Sequence, residues 1–126
     1  MYITVDEKDK RPIYQQIVDE IKGLIVTGEL APGTFLPPVR QVAADLGVNL
    51  NTVAFAYRQL QHDGLVKVRH GAGALVISRV LKEPIGEQAH SQLTAALTHL
   101  ILSGLKPGEV RNLVDEELRR LYADVG

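Results

Sequence analysis

The chain has 126 residues, 45% of them hydrophobic and 23% charged, with a formal net charge of −1. That is one ordinary domain by length, or one small domain plus an appendage, and a core of this size can be stable without cross-links. The absence of cysteine excludes disulfides, thiolate metal sites and cysteine nucleophiles. The longest uncharged apolar run falls far short of a membrane span, and the charged opening MYITVDEKDK is unlike a signal peptide. A soluble, cytoplasmic protein with no membrane partner is expected.

The first strong pattern starts at Pro12, which suits the first turn of a helix. Ile13, Ile17, Ile21, Leu24 and Ile25 then form one apolar stripe, and Gly28 ends it. Leu30-Ala31-Pro32-Gly33 reads as a turn. Pro37-Pro38 opens a short second helix with Val39, Val42, Ala43 and Leu46 facing inward, closed by Gly47. Asn49 is the expected N-cap of a third helix, with Val53, Tyr57 and Leu60 buried and Gly64 at its end. Only Gly47-Val48-Asn49 separates the two helices, the spacing of a helix-turn-helix.

Beyond Gly64 the period changes. Leu65, Val66 and Val68 predict one strand, residues 69–73 a hairpin tip, and Ala74–Ser78 a returning strand. Lys82-Glu83-Pro84 is a break. Leu93, Ala96, Leu97, Leu100 and Ile101 then mark one helix, Lys106–Glu109 a turn, and Val110, Leu113, Val114, Leu118 and Leu121 a last helix. The expected fold class is mainly α with a small β-wing: a winged helix-turn-helix over residues 1–80, followed by an α-helical hairpin over residues 81–126. The hairpin is too small to bury both of its apolar stripes, so it needs another surface. The expected contact residues there are Leu93, Leu97, Leu100, Leu113, Leu118 and Leu121, and the expected partner is a second copy of the chain.

Over residues 11–78 the chain resembles the GntR family of bacterial transcription regulators. The resemblance rests on Gly33-x-x-Leu36-Pro37, Arg40, Ala43, Leu46-Gly47-Val48, Asn51-Thr52-Val53, Ala56-Tyr57, Leu60, Asp63-Gly64-Leu65 and Gly71-x-Gly73. Pro12-Ile13-Tyr14-Gln15-Gln16-Ile17 and the short two-helix tail look like the YtrA-type subfamily. This resemblance implies a dimer formed through the tail, and DNA contacts from Arg40, from Asn49, Leu50, Asn51 and Thr52, and from His70 and Gly71 at the wing tip. It also implies a regulator, with repression as its output. The chain departs from the family pattern at Pro38, where a serine is usual, and at Leu50, Ala54 and Phe55, where basic residues are common. It departs again at Ala74 and Leu75, where threonine and an aromatic commonly follow the second wing glycine.

The residue chemistry can be read independently of that resemblance. Residues 36–80 carry five cations against two anions, whereas residues 81–126 carry five against seven. Arg40 can bond phosphate or grip guanine, or be an ordinary surface arginine. Asn51 suits adenine, and equally suits a second cap. Thr52 and Arg58 suit phosphate. Phe55 points away from the buried stripe, as a thymine-methyl contact or as an aromatic packed on its own helix. Lys67, Arg69 and His70 give the wing a positive end. The four histidines lack metal-ligand spacing, Asp115–Glu117 reads as a solvated face, and no serine sits in a nucleophile motif. No cofactor and no enzymatic activity are expected. The expected function is sequence-specific binding of double-stranded DNA by a homodimer on an inverted-repeat operator, with a small-molecule effector left open. The alternative is a protein-interaction module on a winged-helix scaffold with weakened DNA binding.

Overall fold

The structure, a computed structural model, describes residues 3–69, 73–83 and 86–122. The chain divides into two compact units, Met1–Lys82 and Glu83–Gly126. The first contains α1 (Ile13–Thr27), β1 (Phe35–Leu36), α2 (Val39–Leu46), α3 (Leu50–His62), β2 (Val66–Arg69) and β3 (Gly73–Val76); the second contains α4 (Glu87–Leu102) and α5 (Pro107–Leu121).

In the first unit α1 buries Ile17, Val18, Ile21 and Ile25, and stops at Gly28, which takes a left-handed φ of 90°. A side chain resists that conformation and glycine does not. The eight-residue α2 has Pro38 at its N-cap and no side-chain cap. A helix this short is marginal alone and depends on packing. It packs against α3 through Val42 and Ala43. Asn49 caps α3 by accepting a 2.7 Å bond from the Asn51 amide. Val53, Ala56, Tyr57 and Leu60 are the buried stripe of α3. Tyr57 has no exposed surface, and its hydroxyl donates to the Pro37 carbonyl at 2.6 Å. Burial holds that hydroxyl well above the usual phenol range, so it stays a donor.

The two-stranded hairpin expected from the sequence is a three-stranded antiparallel sheet in the order β1-β3-β2. The added strand, β1, pairs Phe35 with Leu75 and Leu36 with Ala74. Two residues between a glycine turn and two prolines carry no period, so nothing local marks them. Gly73 is decided by this pairing. Its φ is +78°, and a Cβ there would lie 2.5 Å from the Leu36 carbonyl oxygen. The hairpin glycine therefore serves close approach of β3 to β1.

Ahead of α1, where the sequence shows no element, the chain is pinned by Gln16, the one buried polar residue among those described. Its amide donates to the Asp6 carbonyl at 2.9 Å and the Arg11 carbonyl at 3.1 Å, and accepts from the Asp6 amide at 2.7 Å. Ile3 and Val5 are thereby laid against the core.

In the second unit no described residue of α4 or α5 is buried. The turn read at Lys106–Glu109 is corrected: Pro107 already begins α5, and the Lys106 amide donates to Glu109 Oε1 at 3.0 Å. Proline is favoured at that first position, where its missing N–H costs nothing. The turn itself lies earlier, around Gly104.

Urea unfolding of three variants tests these contacts. Gly73→Ala is expected to cost about 2–3 kcal/mol, from left-handed backbone and steric overlap together. Gly47→Ala, also at positive φ but facing open space, should cost about 1 kcal/mol. Equal costs at the two sites would show that overlap with Leu36 does not matter. Tyr57→Phe should cost about 1–2 kcal/mol, because it strands the Pro37 carbonyl in a half-buried place.

Candidate nucleic-acid interface

The N-terminal ends of α2 and α3 and the far end of the wing strands surround one open groove of about 580 Å³. Pro38, Val39 and Arg40 enter it from α2, Leu50, Asn51 and Ala54 from α3, and Val68, Arg69 and Gly73 from the sheet. Tyr57 sets the spacing of the two helices, through its bond to Pro37, the residue ahead of the α2 N-cap. The wing strand is tied to α3 by Gln61, whose Oε1 accepts from the Val68 amide at 2.7 Å.

The groove suits an anion. Two helix N-termini open onto it, and each carries a positive partial charge. Arg40 and Arg69 line it, both exposed, and no carboxylate of the described residues does. Neither arginine has an ion-pair partner among the described residues. The contrast is a second hollow of about 560 Å³ between the N-terminal arm and α2, which holds Asp45 and no cation.

The structure thus brings together Arg40, Leu50, Asn51 and Arg69 of the residues singled out in the sequence. Asn49 stands beside them with its Oδ1 already committed to the Asn51 amide. Thr52 is half-buried in the first turn of α3 and does not line the groove. Arg58 lies further along α3, over the ring of Phe55 at 5.9 Å. Phe55 does not pack on its own helix alone: it meets Tyr14 of α1 edge to face, with centroids 4.7 Å apart. Lys67 is exposed on β2. His70 and Gly71 lie outside the described residues. Sequence reasoning missed Ala54 and Val68 as groove walls and missed the anchoring by Gln61. Ala54 had a signal, since it is one turn beyond Leu50 and Asn51. Gln61 had none, because its partner is set by the sheet.

In the second unit Leu93, Leu113 and Leu118 are exposed, and Leu97, Leu100 and Leu121 half-buried. Leu97, Ile101, Leu105, Pro107, Val110 and Arg111 line an apolar hollow of about 340 Å³. Among the described residues no group of histidines and carboxylates is placed to hold a metal, and no helix is long and apolar enough to cross a membrane.

Comparison with known proteins gives this geometry a context. The profile of the bacterial regulatory proteins, gntR family, matches residues 13–76. The chain is 32% identical over 123 residues to the HTH-type transcriptional repressor YtrA of Bacillus subtilis (strain 168), covering 98% of this chain and 94% of that protein. The crystal structure of a transcriptional antiterminator from Listeria monocytogenes EGD-e superposes with a TM-score of 0.80 at 28% identity, over 96% of this chain and 92% of that one. The DNA-binding domain of AraR, in complex with operator ORE1, superposes with a TM-score of 0.51 at 25% identity, over 60% of this chain and 93% of that one. With the family profile spanning its helix-turn-helix and wing, and with a regulator matched over nearly its whole length, this chain belongs to the GntR family of bacterial regulatory proteins, whose members are DNA-binding transcription regulators and not enzymes.

Proposed function

We propose that the protein is a cytoplasmic repressor that binds, as a homodimer, an operator of two inverted half-sites. The observation that carries this reading is the groove itself: two helix N-termini and two arginines converge there, and among the described residues neither arginine has an ion-pair partner and no carboxylate enters. In the proposed complex α3 enters the major groove, and Asn51 reaches adenine N6 and N7. Arg40 holds a backbone phosphate from α2, and Thr52 and Arg58 hold phosphates beside α3. Arg69, His70 and Gly71 bring the wing to the flanking DNA. Residues 1–80 do the binding and residues 81–126 the pairing. The name of the Bacillus relative as a repressor supports the sign of the output.

Dimerisation through the tail is supported by its composition. Leu93 and Leu118 are 55% and 45% exposed on helices that bury nothing by themselves. Large apolar side chains left exposed on both helices are the kind of surface a protein interface covers. Two-fold symmetry would then place the recognition helices about one DNA turn apart, roughly 34–36 Å.

Light scattering of the full chain at micromolar concentration should give a dimer. Leu118→Glu should give a monomer with unchanged helix content and weakened operator binding. A monomeric wild-type protein would refute the assembly.

Binding to DNA is tested by gel shift at several salt concentrations. Specific retardation that weakens with salt is expected. Arg40→Ala should weaken binding to operator and to random duplex by similar factors and reduce the salt slope by about one per subunit, about two for the dimer. An unchanged slope and affinity would remove Arg40 from the interface. No retardation of any duplex at low salt would instead favour a protein-interaction role for the same surface.

A further inference from the structure

The exposed face of α3 presents Asn51, Phe55 and Arg58 at positions i, i+4 and i+7, so the three share one side of the helix. Phe55 is 41% exposed there. A ring at the surface of a helix is ordinarily free to swing, but this one is held. Tyr14 of α1 meets it at an interplanar angle of 83° with centroids 4.7 Å apart, the edge-to-face arrangement that aromatic quadrupoles favour. The guanidinium carbon of Arg58, three residues on, lies 5.9 Å from the Phe55 centroid, within cation–π range.

This arrangement differs from the way other cations of the same unit are held. Arg11 is gripped by Asp9 and Asp19, and Lys22 by Asp63. A carboxylate orients a cation and also cancels its charge. An aromatic ring orients it and leaves the charge intact, and the N–H edges of a guanidinium over a ring stay open to another acceptor. Arg58 sits seven residues beyond Asn51, about 10 Å along the helix axis. That carries it past the groove where base edges would lie, toward the flanking backbone.

We infer that Tyr14 and Phe55 are positioning residues that hold Arg58 ready for a DNA backbone phosphate. The inference rests on the reading that α3 faces DNA, and it assigns a role to an aromatic pair that the groove does not use. An exposed arginine loses rotamer freedom when it grips a phosphate. The ring removes part of that freedom beforehand, with no loss of charge.

The test is a double-mutant cycle on the full chain, using a duplex selected by the wild-type protein from a randomised pool. Arg58→Gln should lower the salt slope by about one per subunit, about two for the dimer. Phe55→Leu and Phe55→Met, which keep bulk but remove the ring, should each weaken binding about 2–5-fold. Phe55→Tyr should bind as wild type. In the Arg58→Gln background Phe55→Leu should have no further effect. In the unbound protein the Arg58 side-chain proton resonances should be shifted upfield by the ring, and the shift should vanish in Phe55→Leu. Equal weakening by Phe55→Leu with and without Arg58 would overturn the inference and make the ring itself a DNA contact. Wild-type affinity in both ringless variants would overturn it too. A wild-type protein that selects no duplex would overturn the DNA reading along with this one, an outcome distinct from binding that ignores Phe55.

Discussion

Tyr57 lies with no exposed surface where α3 faces the start of α2, and its hydroxyl reaches the Pro37 carbonyl at 2.6 Å. Pro37 is the link between β1 and α2, so one hydrogen bond sets where a strand ends, where a helix begins and how far both lie from α3. The rest of the binding surface is built outward from that junction. The buried neighbours Val53, Ala56 and Leu60 fix the rotation of α3, and thereby expose Leu50, Asn51 and Ala54 together. Gln61 carries the same helix to the wing through the Val68 amide. Lys22 joins α1 to the end of α3 through a 3.0 Å pair with Asp63. Gly73 lets β3 close on Leu36, because any side chain there would collide with the backbone of β1.

The electrostatic character of the molecule is local. Its net charge of −1 says nothing of a nucleic-acid partner. What matters is where the charges are spent. In the first unit the acidic residues Asp9, Asp19 and Asp63 face cations in ion pairs. Arg40 and Arg69 line the groove without such partners among the described residues. Surface pairs contribute little stability, so their consequence here is the segregation of sign more than the energy they supply. A field concentrated in one concave surface steers an anion better than the same charges spread evenly.

The two units use hydrophobic residues in opposite ways. The first closes sixteen apolar side chains into one core and leaves on its surface a groove that holds Arg40, Asn51 and Arg69 among apolar walls. The second closes none among its described residues. Leu93, Leu97, Leu100, Leu113, Leu118 and Leu121 have the periodicity of a core, yet Leu93, Leu113 and Leu118 are exposed and the other three only half-buried. Both stripes were legible in the sequence, because apolar spacing at three and four residues is a local property. That they stay uncovered follows from the size of a two-helix hairpin.

Local physics is what the sequence expressed by itself. Helix periods, the stops at Gly28 and Gly47 and the cap at Asn49 depend on neighbours within one or two turns, and they were legible without a structure. The place of Arg40, Leu50 and Asn51 on one DNA-facing surface was implied by the family resemblance, and the positive wing end that holds Arg69 was read from the residues; the groove brings the four together. The tertiary structure decided the contacts between distant segments. Phe35-Leu36 is a strand only because Ala74-Leu75 lies beside it. Gln16 is a clamp only because the N-terminal arm folds back over α1. Phe55 finds Tyr14 forty-one positions away, where no period in either helix announces the meeting. The strand pairing and the aromatic contact close long loops between atoms far apart in the chain, and the Gln16 clamp joins a helix to an arm that has no period of its own, so no local pattern announces any of them.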